Sequence, residues 1–198
     1  MAAMFARLEP AVRALLLANL AIFGVQWLLP DLIENFALWP LAAGFQPWQL
    51  VTYGFLHGGI AHLAFNMVGL VSFGNELEQY WGTRRLLSFY FASVIAAALT
   101  QLAVTSSLGE IAPTVGASGG IYGLLLGFAM MFPNRRVVPL IPPIPMPAWV
   151  FALIFAGLEL YLGVTGTAAG IAHFAHLGGM IGGWIMIRRW RHRSHPRG

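Results

Sequence analysis

A hydroxyl at a helix start and a nearby imidazole are parts that nucleophilic catalysis needs, and this chain holds both in apolar surroundings. Gly116-Ala117-Ser118-Gly119-Gly120 sets a serine among small residues. If the segment opens a helix, free N–H groups and the positive dipole end favour an alkoxide or oxyanion there. Glycine also lets a substrate backbone come close. Ala172-His173-Phe174-Ala175-His176 supplies imidazoles, and His176 can serve as a general base while it stays neutral. A third stretch, His57-Gly58-Gly59-Ile60-Ala61-His62-Leu63-Ala64-Phe65-Asn66, puts His62 and Asn66 four apart. That spacing shares one helical face, so both can point into one polar pocket.

Each feature has a plainer reading. Taken alone, Ser118 among glycines is more often a small helix-packing residue, and His176 can be an interhelical hydrogen-bonding group. His57 and His173 fit the membrane interface, where imidazole is cheap. Tyr122, one turn after Ser118, fits ordinary core packing. The pentapeptide satisfies G-x-S-x-G, but that elbow needs a preceding strand and none is available. Three histidines raise a metal site, yet no carboxylate lies within helical reach of His62, His173 or His176 and there is no H-E-x-x-H, so neither metal nor cofactor is expected. With no cysteine in the chain, disulfides, thiolate metal sites and a cysteine nucleophile are excluded.

The elements that position these residues follow from composition. Of the 198 residues 58% are hydrophobic and 9% charged, with a mean hydropathy of +0.72, whereas a soluble domain is about one-quarter charged. The bilayer is the natural solvent, and apolar runs of this length fit helices rather than barrel strands. Six spans are expected, at about 13–30, 50–73, 84–105, 116–132, 147–165 and 169–187, in one domain covering residues 1–198. Arg7, Arg13, Arg84, Arg85, Arg135, Arg136, Arg188, Arg189, Arg191, Arg193 and Arg197 then fall on one side, and Asp31, Glu34 and Glu110 on the other. The positive-inside rule puts both termini in the cytoplasm, and the short arginine clusters speak for membrane orientation, not nucleic-acid binding. Spans two, four and six start outside and run inward, which brings His62, Ser118 and His176 to similar depth.

Together these motifs closely resemble the rhomboid protease family: H-x-x-x-x-H-x-x-x-N at His57, His62 and Asn66, G-x-S-G from Gly116 to Gly119, and A-H-x-x-G-x-x-x-G from Ala175 through Gly179 to Gly183. Order, spacing and host span agree over nearly the whole chain. The resemblance implies an all-α, six-helix rhomboid-like bundle acting as an intramembrane serine endopeptidase on transmembrane protein substrates. It implies that Ser118 attacks the scissile carbonyl while His176 takes its proton, a dyad with no aspartate, and the chain is expected to place no acidic residue to orient His176. It further implies an oxyanion hole from His62, Asn66 and the Ser118 N–H, with Tyr122 packed against the imidazole and Gly116 and Gly119 supporting the serine. His57 is expected near a water-access cavity open to the outside. Lateral substrate entry between spans two and five would make Phe65 and Trp149 or Phe155 gate residues. Many relatives carry Trp-Arg in the first external loop where this chain has Trp48-Gln49, which puts that arginine's loop-anchoring role in doubt.

Two other readings compete. An inactive relative that escorts membrane clients has no chemical need for Ser118, His176, His62 and Asn66 together. A proton-coupled carrier would show inverted repeats or paired broken helices, and would make Glu159 a coupling residue; Glu159 reads instead as an interfacial or buried hydrogen-bonded group. By elimination the membrane is the prokaryotic plasma (inner) membrane, with an organelle as the alternative.

Overall fold

The computed structural model describes residues 8–29, 31–140, 142–166 and 172–194, with side chains as far as Arg191. The architecture is all-α, apart from a two-residue antiparallel ladder pairing β1 (Arg136–Val137) with β2 (Met146–Pro147). The helices are α1 (Pro10–Leu28), α2 (Leu32–Phe36), α3 (Gln49–Thr52), α4 (Ile60–Trp81), α5 (Thr83–Leu108), α6 (Ser118–Met131), α7 (Ala148–Thr165) and α8 (His173–Ser194). Among the described residues α1, α5 and α7 are long and apolar enough to cross a membrane, and the bent segment from Gln49 to Trp81 adds a fourth if taken as one.

The expected second span is where pattern and structure part. Instead of one helix over about 50–73, α3 runs through a 3-10 turn at Tyr53–Phe55, breaks, and resumes as α4 at an angle of 100°. Adjacent Gly58 and Gly59 disfavour continued helix, and the freed backbone is satisfied sideways. Gln26 donates to the His57 carbonyl at 2.7 Å and accepts the His57 N–H at 3.1 Å. Other boundaries move by a few residues; α1 begins with Pro10 in its first turn, where a missing N–H costs nothing. Pro30, Arg7, Arg197 and residues 169–171 of the expected sixth span lie outside the described residues, as does the side chain of Arg193.

Large apolar residues face outward on α1 and α7, with Leu153, Tyr161 and Val164 more than 60% exposed, while the inward faces mix apolar residues such as Leu15, Leu16 and Phe151 with Asn19 and Glu159. The short α6 is apolar on every side and largely buried, as a helix surrounded by others must be. Glycine faces let α5, α6 and α8 meet closely: a Cβ on Gly179 would stand 1.9 Å from the Gly119 carbonyl oxygen, and one on Gly123 2.2 Å from Ser93 Oγ.

Basic residues gather at one end of the bundle. There Glu78, at the end of α4, accepts the Ala11 and Val12 N–H groups at 2.8 and 2.9 Å and the Thr83 hydroxyl at 2.7 Å. A carboxylate thereby caps the first turn of α1. Arg135 pairs with Glu76 at 3.0 Å, and Arg85 lies over the Trp190 ring.

Candidate active site

Ser118 is the first residue of α6, and His176 lies in the opening turn of α8. Their side chains meet, Ser118 Oγ standing 2.8 Å from His176 Nε2. The Gly119–Gly179 approach sets this distance, because it joins the two helices one residue after the serine and three after the histidine. Tyr122, one turn along α6, lies flat on the imidazole, with centroids 4.3 Å apart and planes 3° from parallel.

The segment before Ser118 is held from two directions. Leu38 and Thr114 exchange backbone hydrogen bonds at 3.0 and 2.9 Å, and the Gly116 N–H donates to the Tyr53 carbonyl at 3.0 Å. Gly116 has φ +132°, and a Cβ there would stand 2.8 Å from the His62 ring. Only glycine combines that backbone with so close a neighbour. His62 therefore sits beside the serine, its Nδ1 accepting the Gly58 N–H at 3.3 Å. Asn66 is buried, and one N–H of its amide donates to the His62 carbonyl at 3.0 Å, which leaves the second N–H for another acceptor.

Two expectations shift. His57 is wholly buried and packs edge-on against His62 and Phe23, so it does not line an open external cavity. Trp149 is the second residue of α7, at the end opposite Glu159 and the serine, so it cannot pair with Phe65 as an outer gate. Phe65 is exposed, and Phe155 packs at a tilt between Phe151 and Tyr122. In the first loop Gln49 takes the anchoring place: its Oε1 accepts the Trp39 and Gln46 N–H groups at 3.2 and 3.0 Å, and its Nε2 donates to the Asn35 carbonyl.

The larger correction concerns Glu159. The chain does place an acid beside His176: Glu159 Oε1 is 3.0 Å from Nδ1. The same oxygen accepts the Tyr122 hydroxyl, while Oε2 meets His173 Nδ1 at 2.6 Å. No spacing within one helix signals this contact, because Glu159 arrives from α7 and the histidines from α8; its one trace in the sequence is an ionisable residue inside an apolar run. Glu159, His173 and His176 are also the described residues that could hold a metal ion, their ligand atoms lying within 4.8 Å of one another. Those atoms are engaged with each other in the contacts just given.

The family model described as Rhomboid domain matches residues 44–192. The chain is similar to Rhomboid protein 1, mitochondrial, of Saccharomyces cerevisiae, at 32% identity over 89% of this chain and 53% of the yeast protein. It is similar to Rhomboid protease GluP of Bacillus subtilis at 31% identity over 70% of this chain and 25% of that protein, and to Rhomboid-related protein 3 of Homo sapiens at 35% over 54% and 26%. The chain thus spans about half the length of the yeast relative and a quarter of the other two.

Proposed function

The chain belongs to the rhomboid family, and we propose that it is an intramembrane serine endopeptidase that cuts transmembrane segments of other membrane proteins near the extracytoplasmic face. The observation that carries this is the 2.8 Å contact between Ser118 Oγ and His176 Nε2 at the start of a buried helix. Six helices, α1 and α4 to α8, cross the membrane with both termini in the cytoplasm, a reading supported by the basic residues gathered at one end. The membrane is the plasma (inner) membrane, and residues 1–198 act as one domain.

Helix α6 has 14 residues, about 21 Å against a hydrocarbon core of about 30 Å. A helix that short keeps Ser118 below the membrane surface. Ser118 Oγ bonds to the scissile carbonyl carbon as its proton passes to His176 Nε2. The carbonyl oxygen becomes an oxyanion beside the Ser118 N–H and His62, joined by the second N–H of Asn66. His176 then returns the proton to the departing amine as the C–N bond breaks, leaving an acyl-serine that water hydrolyses by the reverse path. Aimed donors in a dry site are worth far more than in water, and Gly116 and Gly119 support the serine by letting the His62 ring and α5 close against its two flanks.

The test is cleavage of a reporter transmembrane substrate in liposomes by wild type, Ser118→Ala and His176→Ala, with folding followed by thermal denaturation. Cleavage lost in both folded variants is the expected result. Undiminished cleavage by Ser118→Ala would falsify the assignment.

A further inference from the structure

A buried carboxylate is expensive, costing several kcal/mol before compensation, and α7 otherwise presents mostly apolar side chains. Glu159 is 6% exposed and gathers three partners: the Tyr122 hydroxyl, His173 Nδ1 and His176 Nδ1. Tyr122 and His173 account for both oxygens and brace the carboxylate from α6 and α8. The third contact does something more, because it meets the one ring nitrogen of His176 that the serine does not use. It is 3.0 Å long but off the N–H axis, as such contacts often are before substrate tightens a site.

We infer that Glu159 is a positioning residue for His176, extending the serine–histidine pair into a serine–histidine–glutamate chain. The inference rests on the reading of Ser118 and His176 given above. With a carboxylate at Nδ1, the ring proton sits on Nδ1 and the lone pair on Nε2, facing the Ser118 hydroxyl. When the serine attacks, its proton goes to Nε2 and the ring becomes an imidazolium 3.0 Å from a negative charge. That proton later leaves from Nε2 for the amine; none passes to Glu159, which stays ionised throughout. Tyr122 serves the arrangement twice, stacking on the ring and donating to the same carboxylate oxygen. Two other histidines stand near the ring: His62 on the serine side, beside Gly116, and His173 edge-on at 6.4 Å between centroids.

The full chain in liposomes, with a reporter transmembrane substrate, tests this. Glu159→Gln keeps the shape and removes the charge; it is expected to lower kcat by at least about 10²-fold, within the roughly 10⁴-fold that an amide costs in place of the aspartate of a soluble Ser-His-Asp triad, with KM within about twofold. Glu159→Asp restores the charge and is expected to recover at least about tenfold of that loss, a rescue that mere bracing of the fold would not give. Wild-type kcat in folded Glu159→Gln, or no recovery in Glu159→Asp, overturns the inference. Should the glutamine variant not fold, ¹⁵N NMR of wild-type His176, assigned by its loss in His176→Ala, decides: a protonated Nδ1 and bare Nε2 support the role, and a proton on Nε2 overturns it. Ser118→Ala run in parallel separates the two readings. If it still cleaves, both fall; if it is inactive while Glu159→Gln runs at full speed, only the role of Glu159 falls.

Discussion

Gly179→Ala adds one methyl group, and the structure says where it goes. The new Cβ would lie 1.9 Å from the carbonyl oxygen of Gly119, whereas carbon and carbonyl oxygen make contact at about 3.3 Å. The two backbones must separate by about 1.4 Å, and neither side of the clash is a flexible side chain that can swing away. Overpacking costs about 1–3 kcal/mol, and a backbone-on-backbone collision belongs at the upper end. The functional cost is of comparable size. Ser118 precedes Gly119 by one residue and His176 precedes Gly179 by three, so the separation passes into their 2.8 Å contact and takes it beyond hydrogen-bond length. A misplacement of about 1 Å is worth roughly 10²-fold in rate. Cleavage by reconstituted Gly179→Ala is therefore expected to fall at least about 10²-fold, with a lowered thermal midpoint. Gly157→Ala is the control, because nothing lies within 4 Å of its added Cβ; it should leave the rate unchanged, and the midpoint should hold or rise slightly, since alanine suits a helix interior better than glycine. A Gly179→Ala variant with the wild-type rate and midpoint would refute the claim that this approach sets the site.

Two further outcomes follow from the same geometry. His62→Ala removes the ring beside Gly116 and is expected to reduce kcat by about 3 kcal/mol of barrier, on the order of 10²-fold, with KM little changed; steady-state kinetics in liposomes separates the two constants, and a pure KM effect would count against an oxyanion role. Glu78→Ala leaves two buried N–H groups of α1 without their acceptor, a loss of about 3 kcal/mol. Thermal denaturation should register it, while the rate per folded molecule stays at the wild-type value.

What the sequence could and could not foretell divides along physical lines. Hydropathy located the apolar helices because lipid-facing and buried residues alike must be apolar. It missed the 100° bend before α4, since window averages are blind to two glycines that break a helix without making it polar. Ser118, His176, His62 and Asn66 stood out through fixed spacings within single helices. Glu159 was legible as a buried hydrogen-bonded group but not as a partner of His176, because its partners come from two other helices and no spacing along the chain encodes a contact between α7 and α8. Gln49 was visible only as a missing arginine, yet a neutral amide with one acceptor and two donors suffices to tie Trp39, Gln46 and Asn35 together. Trp149 is a gate candidate through the family resemblance alone, and its place one residue into α7 puts it at the far end.

The cap on α1 has a consequence for biogenesis. The acceptor for the Ala11 N–H is a side chain 67 residues further along the chain, and synthesis at about 5–20 residues per second delivers it roughly 3–13 s later. During that interval the first helix carries open donors at its start, and only water or lipid headgroups are at hand to meet them. The emerging chain must therefore hold that end at the bilayer surface until the end of α4 arrives. The rate at which the nascent protein becomes protease-resistant should then follow the synthesis of residue 78 rather than that of residue 28.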